Sequence, residues 1–211
     1  MVTTSPTDHA ELSQPELTGG EFYRRPTVQV ARALLGQRLV SLIDGQLTAG
    51  WIVETEAYLS EGDAACHASR GQTPGNASMF DQAGTAYVYP IHGRHCFNVV
   101  TQSPAEGTAV LIRAVQPTQG IASMLRRRHI TQLRDLCRGP ARLCQAFGID
   151  RRFDGHDLKL RKLLWIDPGN LLVSPEQIRT TERIGVTSDE HLALRFVVSS
   201  NRYASGPKRL R

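Results

Sequence analysis

The sequence lacks the features that mark several protein classes. No apolar stretch approaches the roughly 18 residues of a membrane-spanning helix. The first residues contain no basic segment followed by an apolar one, so no secretory leader is expected. There are 4 cysteines in 211 residues, and Cys66, Cys96, Cys137 and Cys144 form no CxxC pair. In a chain of this length they read as reduced, buried thiols of a cytoplasmic protein rather than a disulfide framework. Neither a GxGxxG turn nor a Walker loop is present, so a nucleotide cofactor has no support. Repeats and low-complexity linkers are also missing. Acidic excess is lacking: 25 Lys and Arg stand against 20 Asp and Glu, a formal charge of +5. The arginines gather at 126, 127, 128, 134, 138, 142, 151, 152 and 161. That balance suits a polyanion, but a solvated basic surface explains it as well, so charge alone decides nothing.

What is present is one domain's worth of chain. Residues 1–16 are rich in Thr, Ser, Pro and acids and read as a disordered tail, leaving 17–211 as the folded domain. Thr27 opens a helical pattern that Gly36 can close. Two apolar stretches flank Asp44-Gly45, a hairpin signal. The second strand should place Glu54, Glu56 and Tyr58 on one face and Val53, Thr55 and Ala57 on the other. Residues 60–82 read as a long irregular loop, of the kind that carries function. TAYVYPI and FNVVTQ are strands either side of the HGRH turn, AVLIRAV (109–115) is a buried strand holding Arg113, and 118–128 is helical. Pro140 opens a short helix that Gly148 closes. Asp167-Pro168-Gly169-Asn170 is a turn, and 193–200 is a late strand.

Residues 51–98 concentrate the chemistry. They hold Glu54, Glu56, Tyr58, Tyr87, Tyr89, His67, His92 and His95, including three of the chain's 5 tyrosines. Carboxylates beside aromatic faces suit a pocket that holds a flat ring and activates water next to it. Spacing leaves Glu54 and Glu56 equal. Tyr87 and Tyr89 share a face, where cross-strand packing and base stacking are both open. Cys66, His67, His92, His95 and Cys96 have residue types that suit zinc, but their spacing matches no ligand pattern, and metal is not expected. Arg113 either holds a core carboxylate or orients Glu56.

Several stretches in order, WIVETEAY (51–58), DAACHASRGQTPGNASMF (63–80), GTAYVYPIHG (84–93), CFNVVT (96–101), VLIRAVQP (110–117), CRGPARLCQAFGI (137–149) and RIGV (183–186), resemble the alkyladenine (3-methyladenine) DNA glycosylases of the mammalian type, which also occur in bacteria. The resemblance runs from about residue 31 to 200. It implies a single α+β domain around a curved, largely antiparallel sheet. It also implies a monofunctional, cofactor-free enzyme that removes damaged purines from double-stranded DNA in base excision repair and leaves an abasic site. A cytoplasmic, nucleoid-associated monomer is expected. By position, Glu56 matches the family's water-activating base, with Arg113 beside it. Tyr58, His67 and Tyr89 match the base pocket, and Asn98 lies against the base. The family's wedge segment, similar to YGMHYCFN, is one residue shorter here. His92 stands at its tyrosine, and Arg94 is the other wedge candidate. Arg138, Arg142 and Arg151 match phosphate contacts.

Overall fold

The computed structural model describes Leu17 and residues 19–206; the expected tail, 1–16, lies outside the described residues. Eight strands form one antiparallel sheet: β1 Arg38–Ile43, β2 Gln46–Tyr58, β3 Ala86–Ile91, β4 Arg94–Thr101, β5 Thr108–Gln119, β6 Leu164–Asp167, β7 Ile178–Thr181 and β8 Arg195–Val198. Among the described residues four α-helices accompany them: α1 Gly20–Arg24, α2 Thr27–Ala33, α3 Ile121–Arg128 and α4 Pro140–Phe147. The architecture is the expected α+β class. The order across the sheet is β3-β4-β5-β2-β1-β6, with β8 joined to the upper part of β2 and β7 to β8.

Local chemistry sets the elements. Asp44 and Gly45 both take positive φ, 52° and 70°, the twist that a two-residue hairpin turn needs. Pro140 occupies the first turn of α4 and Gly148 ends it in the left-handed conformation, as N-terminal proline and C-terminal glycine do. Two expectations shift. Thr27 is not a cap: its hydroxyl bonds Gln102 Oε1 at 2.6 Å and Thr101 Oγ1 at 2.9 Å. The helix expected from 118 begins at Ile121, because β5 runs on to Gln119 against Ala49. Asp167 closes β6 and only Asn170 bends in the following segment.

The two faces of β2 serve different purposes. Val53 and Ala57 belong to the main core with residues of α2, α3 and α4, and Thr55 Oγ1 donates to Ala31 O in α2 at 2.8 Å. The opposite face carries Glu54, Glu56 and Tyr58, under a smaller apolar cluster of Cys66, Ala68, Met79, Tyr87, Val100 and Ala109. The loop 59–85 brings Cys66, Ala68 and Met79 to this cluster; it covers the sheet with short 3-10 turns at His67–Arg70 and Ala77–Phe80.

Candidate active site

Strand register assembles the site. Tyr87 pairs Asn98, Asn98 pairs Leu111 and Leu111 pairs Glu56, so side chains from β3, β4 and β2 form one row. The β2–β5 ladder is irregular on either side of Glu54: Glu54 faces Ala114 and Thr55 faces Ile112, so Arg113 is skipped. Such an irregularity re-aims a side chain. Arg113 consequently reaches both acids, with Nη1 at 3.2 Å from Glu56 Oε2 and Nε at 3.2 Å from Glu54 Oε1. Burial alone would lower the Arg113 pKa, but Glu56 and Glu54 outweigh it and hold the guanidinium charged.

The two acids differ in their surroundings, although both are fully buried. Glu54 accepts from Arg195 Nε at 2.6 Å, from Ser205 N at 2.6 Å and from Ser205 Oγ at 2.9 Å. Glu56 accepts from Ile184 N at 2.9 Å, from Tyr58 Oη at 3.1 Å and from Arg113 Nη1. A carboxylate has about four lone-pair positions. In the bonds above each acid uses three of them; Arg113 Nε meets Glu54 Oε1 only as an ion-pair contact without hydrogen-bond geometry, and what separates the two is that Glu56 is bonded to a pocket side chain, Tyr58.

Beside Glu56, Tyr58, His67, Met79, Tyr87, Tyr89 and Asn98 line a small pocket. The His67 and Tyr89 ring centroids are 4.5 Å apart and those of Tyr87 and Tyr89 are 5.4 Å apart. His67 Nδ1 shares a 2.7 Å hydrogen bond with the Tyr87 hydroxyl. The His67 and Tyr89 rings meet edge to face, at 67°. His67 also borders a cleft lined by Arg70, Thr73 and Asn76. Asn98 Nδ2 donates to Tyr87 O at 3.0 Å, so its amide is oriented by backbone. Burial, reinforced by Glu56 for Tyr58, by Asp154 for Tyr87 and by Cys96 for Tyr89, pushes all three phenols well above the usual tyrosine range. Desolvation lowers the His67 pKa, so its ring is neutral at pH 7. Burial pushes the Cys66 thiol up to about 11, which keeps it unreactive. Among the described residues no three His, Cys, Asp or Glu side chains converge to hold a metal.

The other expected residues lie around this centre. His92 (φ 47°) and Gly93 (φ 72°) are the two turn residues between β3 and β4. His92 and Arg94 are exposed at that tip. Histidine is among the few non-glycine residues enriched at positive φ. The three arginines differ. Arg138 is committed inward, with Nε to Ala204 O at 2.8 Å and Nη2 to Gly206 O at 3.1 Å. Arg142, ion-paired with Asp135, and Arg151, bonded to Val88 O, keep 44% and 45% of their side chains exposed.

Sequence reasoning read a late strand at 193–200, which is β8, but gave no residue of 183–205 a role in the site. Ile184 supplies the amide on Glu56, and its carbonyl accepts from Arg113 Nη1 at 3.2 Å. Arg183, Arg195 and Ser205 complete a buried set in which Arg113, Arg183 and Arg195 balance Glu54, Glu56 and Asp63. The RIGV motif was the one available signal, and it carried no role by itself.

This pairing of a buried acid with a ring-lined pocket on an antiparallel sheet defines a class. Residues 21–202 match the model of the methylpurine-DNA glycosylase family, and the chain belongs to that family. It is 50% identical over 190 residues to a protein of Rhodopirellula baltica, covering 88% of this chain and 81% of the relative. A relative in Mesorhizobium japonicum is 43% identical, covering 96% of this chain and 94% of its own. One in Carboxydothermus hydrogenoformans is 45% identical, covering 88% and 96%. All three carry the provisional name 3-methyladenine DNA glycosylase. No helix among the described residues is long and apolar enough to cross a membrane.

Proposed function

We propose that the protein is a monofunctional 3-methyladenine-type DNA glycosylase that takes a damaged purine out of duplex DNA and hydrolyses its N-glycosidic bond with water activated by Glu56. The observation that carries this reading is the Glu56 carboxylate. It is buried, aligned by Ile184 N, Arg113 and Tyr58, and its partner Tyr58 lines a pocket of aromatic rings. Glu54, whose partners Arg195 and Ser205 do not line the pocket, serves the fold.

The chemistry follows from the charge of the substrate. Alkylation at purine N3 or N7 makes the ring cationic, and electron-rich tyrosine faces attract a cation. The phenols stay neutral because their pKa values are raised. A flipped base exchanges its stack in the duplex for Tyr58, His67 and Tyr89. As the C1′–N bond breaks, its electron pair leaves with the base and positive charge builds on the sugar. Water then attacks C1′ and Glu56 takes its proton, while the carboxylate also supports the developing charge. An abasic site and an intact strand remain. Asn98, in the pocket lining, opposes the 2-amino group of guanine and so protects normal DNA. His92, with Arg94 next to it, fills the gap left by the extruded nucleotide. Arg142 and Arg151 take phosphates, and Arg138 stays with the C-terminal chain.

A panel of 5′-labelled duplexes, each with one damaged base, tests the reading. Alkali-labile sites at the damaged purine are expected, with no strand break before alkali. A panel without such sites would contradict it.

A further inference from the structure

Behind the pocket lies an ion pair that the reaction above does not use. Arg183 donates to Asp63 through two parallel bonds, 2.7 Å from Nη1 and 2.6 Å from Nη2, and neither side chain is exposed. Burying such a pair is a poor way to stabilise a fold, because desolvation of both charges offsets most of their attraction. Arg183 Nε is also buried with no acceptor among the described residues, a further cost. The pair's contacts run to parts of the site.

Asp63 accepts from Leu59 N at 3.0 Å and from Ala65 N at 3.2 Å, which shapes the segment leading from Tyr58 to His67. Arg183 donates to Ala57 O at 3.2 Å, and its guanidinium carbon stands 4.6 Å from the centroid of the Tyr58 ring. Tyr58 is therefore held at its hydroxyl by Glu56 and at its ring by a flat cation. The next residue, Ile184, brackets Glu56 and Arg113 with its amide and carbonyl. Neither Asp63 nor Arg183 lines the pocket, so any effect on catalysis passes through these neighbours.

We infer that Asp63 and Arg183 are positioning residues of the glycosylase reaction: one buried contact sets Tyr58, the loop that carries His67, and the Ile184 backbone against Glu56. This rests on the glycosylase reading above. Arginine suits the place because its planar fork bonds the carboxylate twice while its guanidinium carbon stands over the ring.

The test compares Arg183→Lys and Asp63→Glu, which keep the buried charges balanced, with Leu39→Ala. Leu39 is fully buried in β1, away from the site, and supplies a loss of melting temperature without a change of positioning. Two quantities are read for each folded protein: single-turnover release of the damaged base, and affinity for duplex bearing a tetrahydrofuran abasic analogue. Arg183→Lys and Asp63→Glu should release base on the order of 10- to 100-fold more slowly, as small misplacements at a reacting centre do. Their affinity for the abasic analogue should be unchanged, and Leu39→Ala should keep the parent rate. The inference is overturned if the charge-conserving variants keep the parent rate, if Leu39→Ala slows as much as they do, or if affinity falls in step with rate. A parent protein that releases no base from damaged duplex would instead refute the glycosylase reading itself.

Discussion

Glu54→Gln should damage the fold and spare the chemistry. The carboxylate is fully buried and receives Arg195 Nε, Ser205 N and Ser205 Oγ at 2.6, 2.6 and 2.9 Å. Glutamine keeps the shape, but it turns one acceptor into a donor that faces another donor and removes the charge opposite Arg195, itself fully buried. Breaking one side of a buried pair costs about 3–5 kcal/mol. In a domain of this size each kcal/mol moves the melting temperature by about 2–4 °C, so a drop of about 6–20 °C is expected. Arg195 keeps Thr181 Oγ1 at 2.8 Å and Ser205 O at 3.2 Å, which favours the lower half of that range. Thermal melting gives the stability. Single-turnover base release, measured well below the melting temperature, gives the chemistry, and it should stay within about tenfold of the parent rate. The reasoning fails if folded Glu54→Gln loses the roughly 10²- to 10⁴-fold that a general base contributes, or if its melting temperature does not change.

Three further outcomes follow from the site. Arg142→Ala with Arg151→Ala should reduce the log–log salt slope of duplex binding by about 2, at about 0.9 per lost phosphate contact; Arg138→Ala should lower the melting temperature and leave the slope alone. His92→Ala should slow base release from well-paired duplex more than from single strands, where unstacking is cheap, and equal slowing would remove His92 as the wedge. His67 has a lowered pKa, so its neutral form is favoured in the pocket. That preference holds above the ordinary histidine value of about 6.5 and is lost as pH falls through and below it. A protonated His67 repels a cationic base and leaves a neutral one, so release of 7-methylguanine should fall relative to hypoxanthine as pH drops below about 6.5; His67→Gln should remove the part of that fall due to the ring.

Much of the fold was legible because its signals are local. Asp44-Gly45 marks a hairpin, Pro140 and Gly148 bracket a helix, and alternation in β2 separates the core face from the face with Glu54, Glu56 and Tyr58. The choice between the acids was not legible from spacing, because it depends on Arg195, Ser205 and Ile184, which lie more than 120 residues away in the chain. Contacts that distant leave no periodicity. The same applies to Arg138, whose inward bonds to Ala204 and Gly206 no local pattern reveals. β6 and β7 have four residues each, too few for alternation to register.

The central claim is that Glu56 activates the water. Glu56→Gln should bind duplex containing a single damaged purine as tightly as the parent and liberate no free base over many parent half-lives, with the released purine read by mass spectrometry. A Glu56→Gln protein that releases the damaged purine at the parent rate would contradict the account.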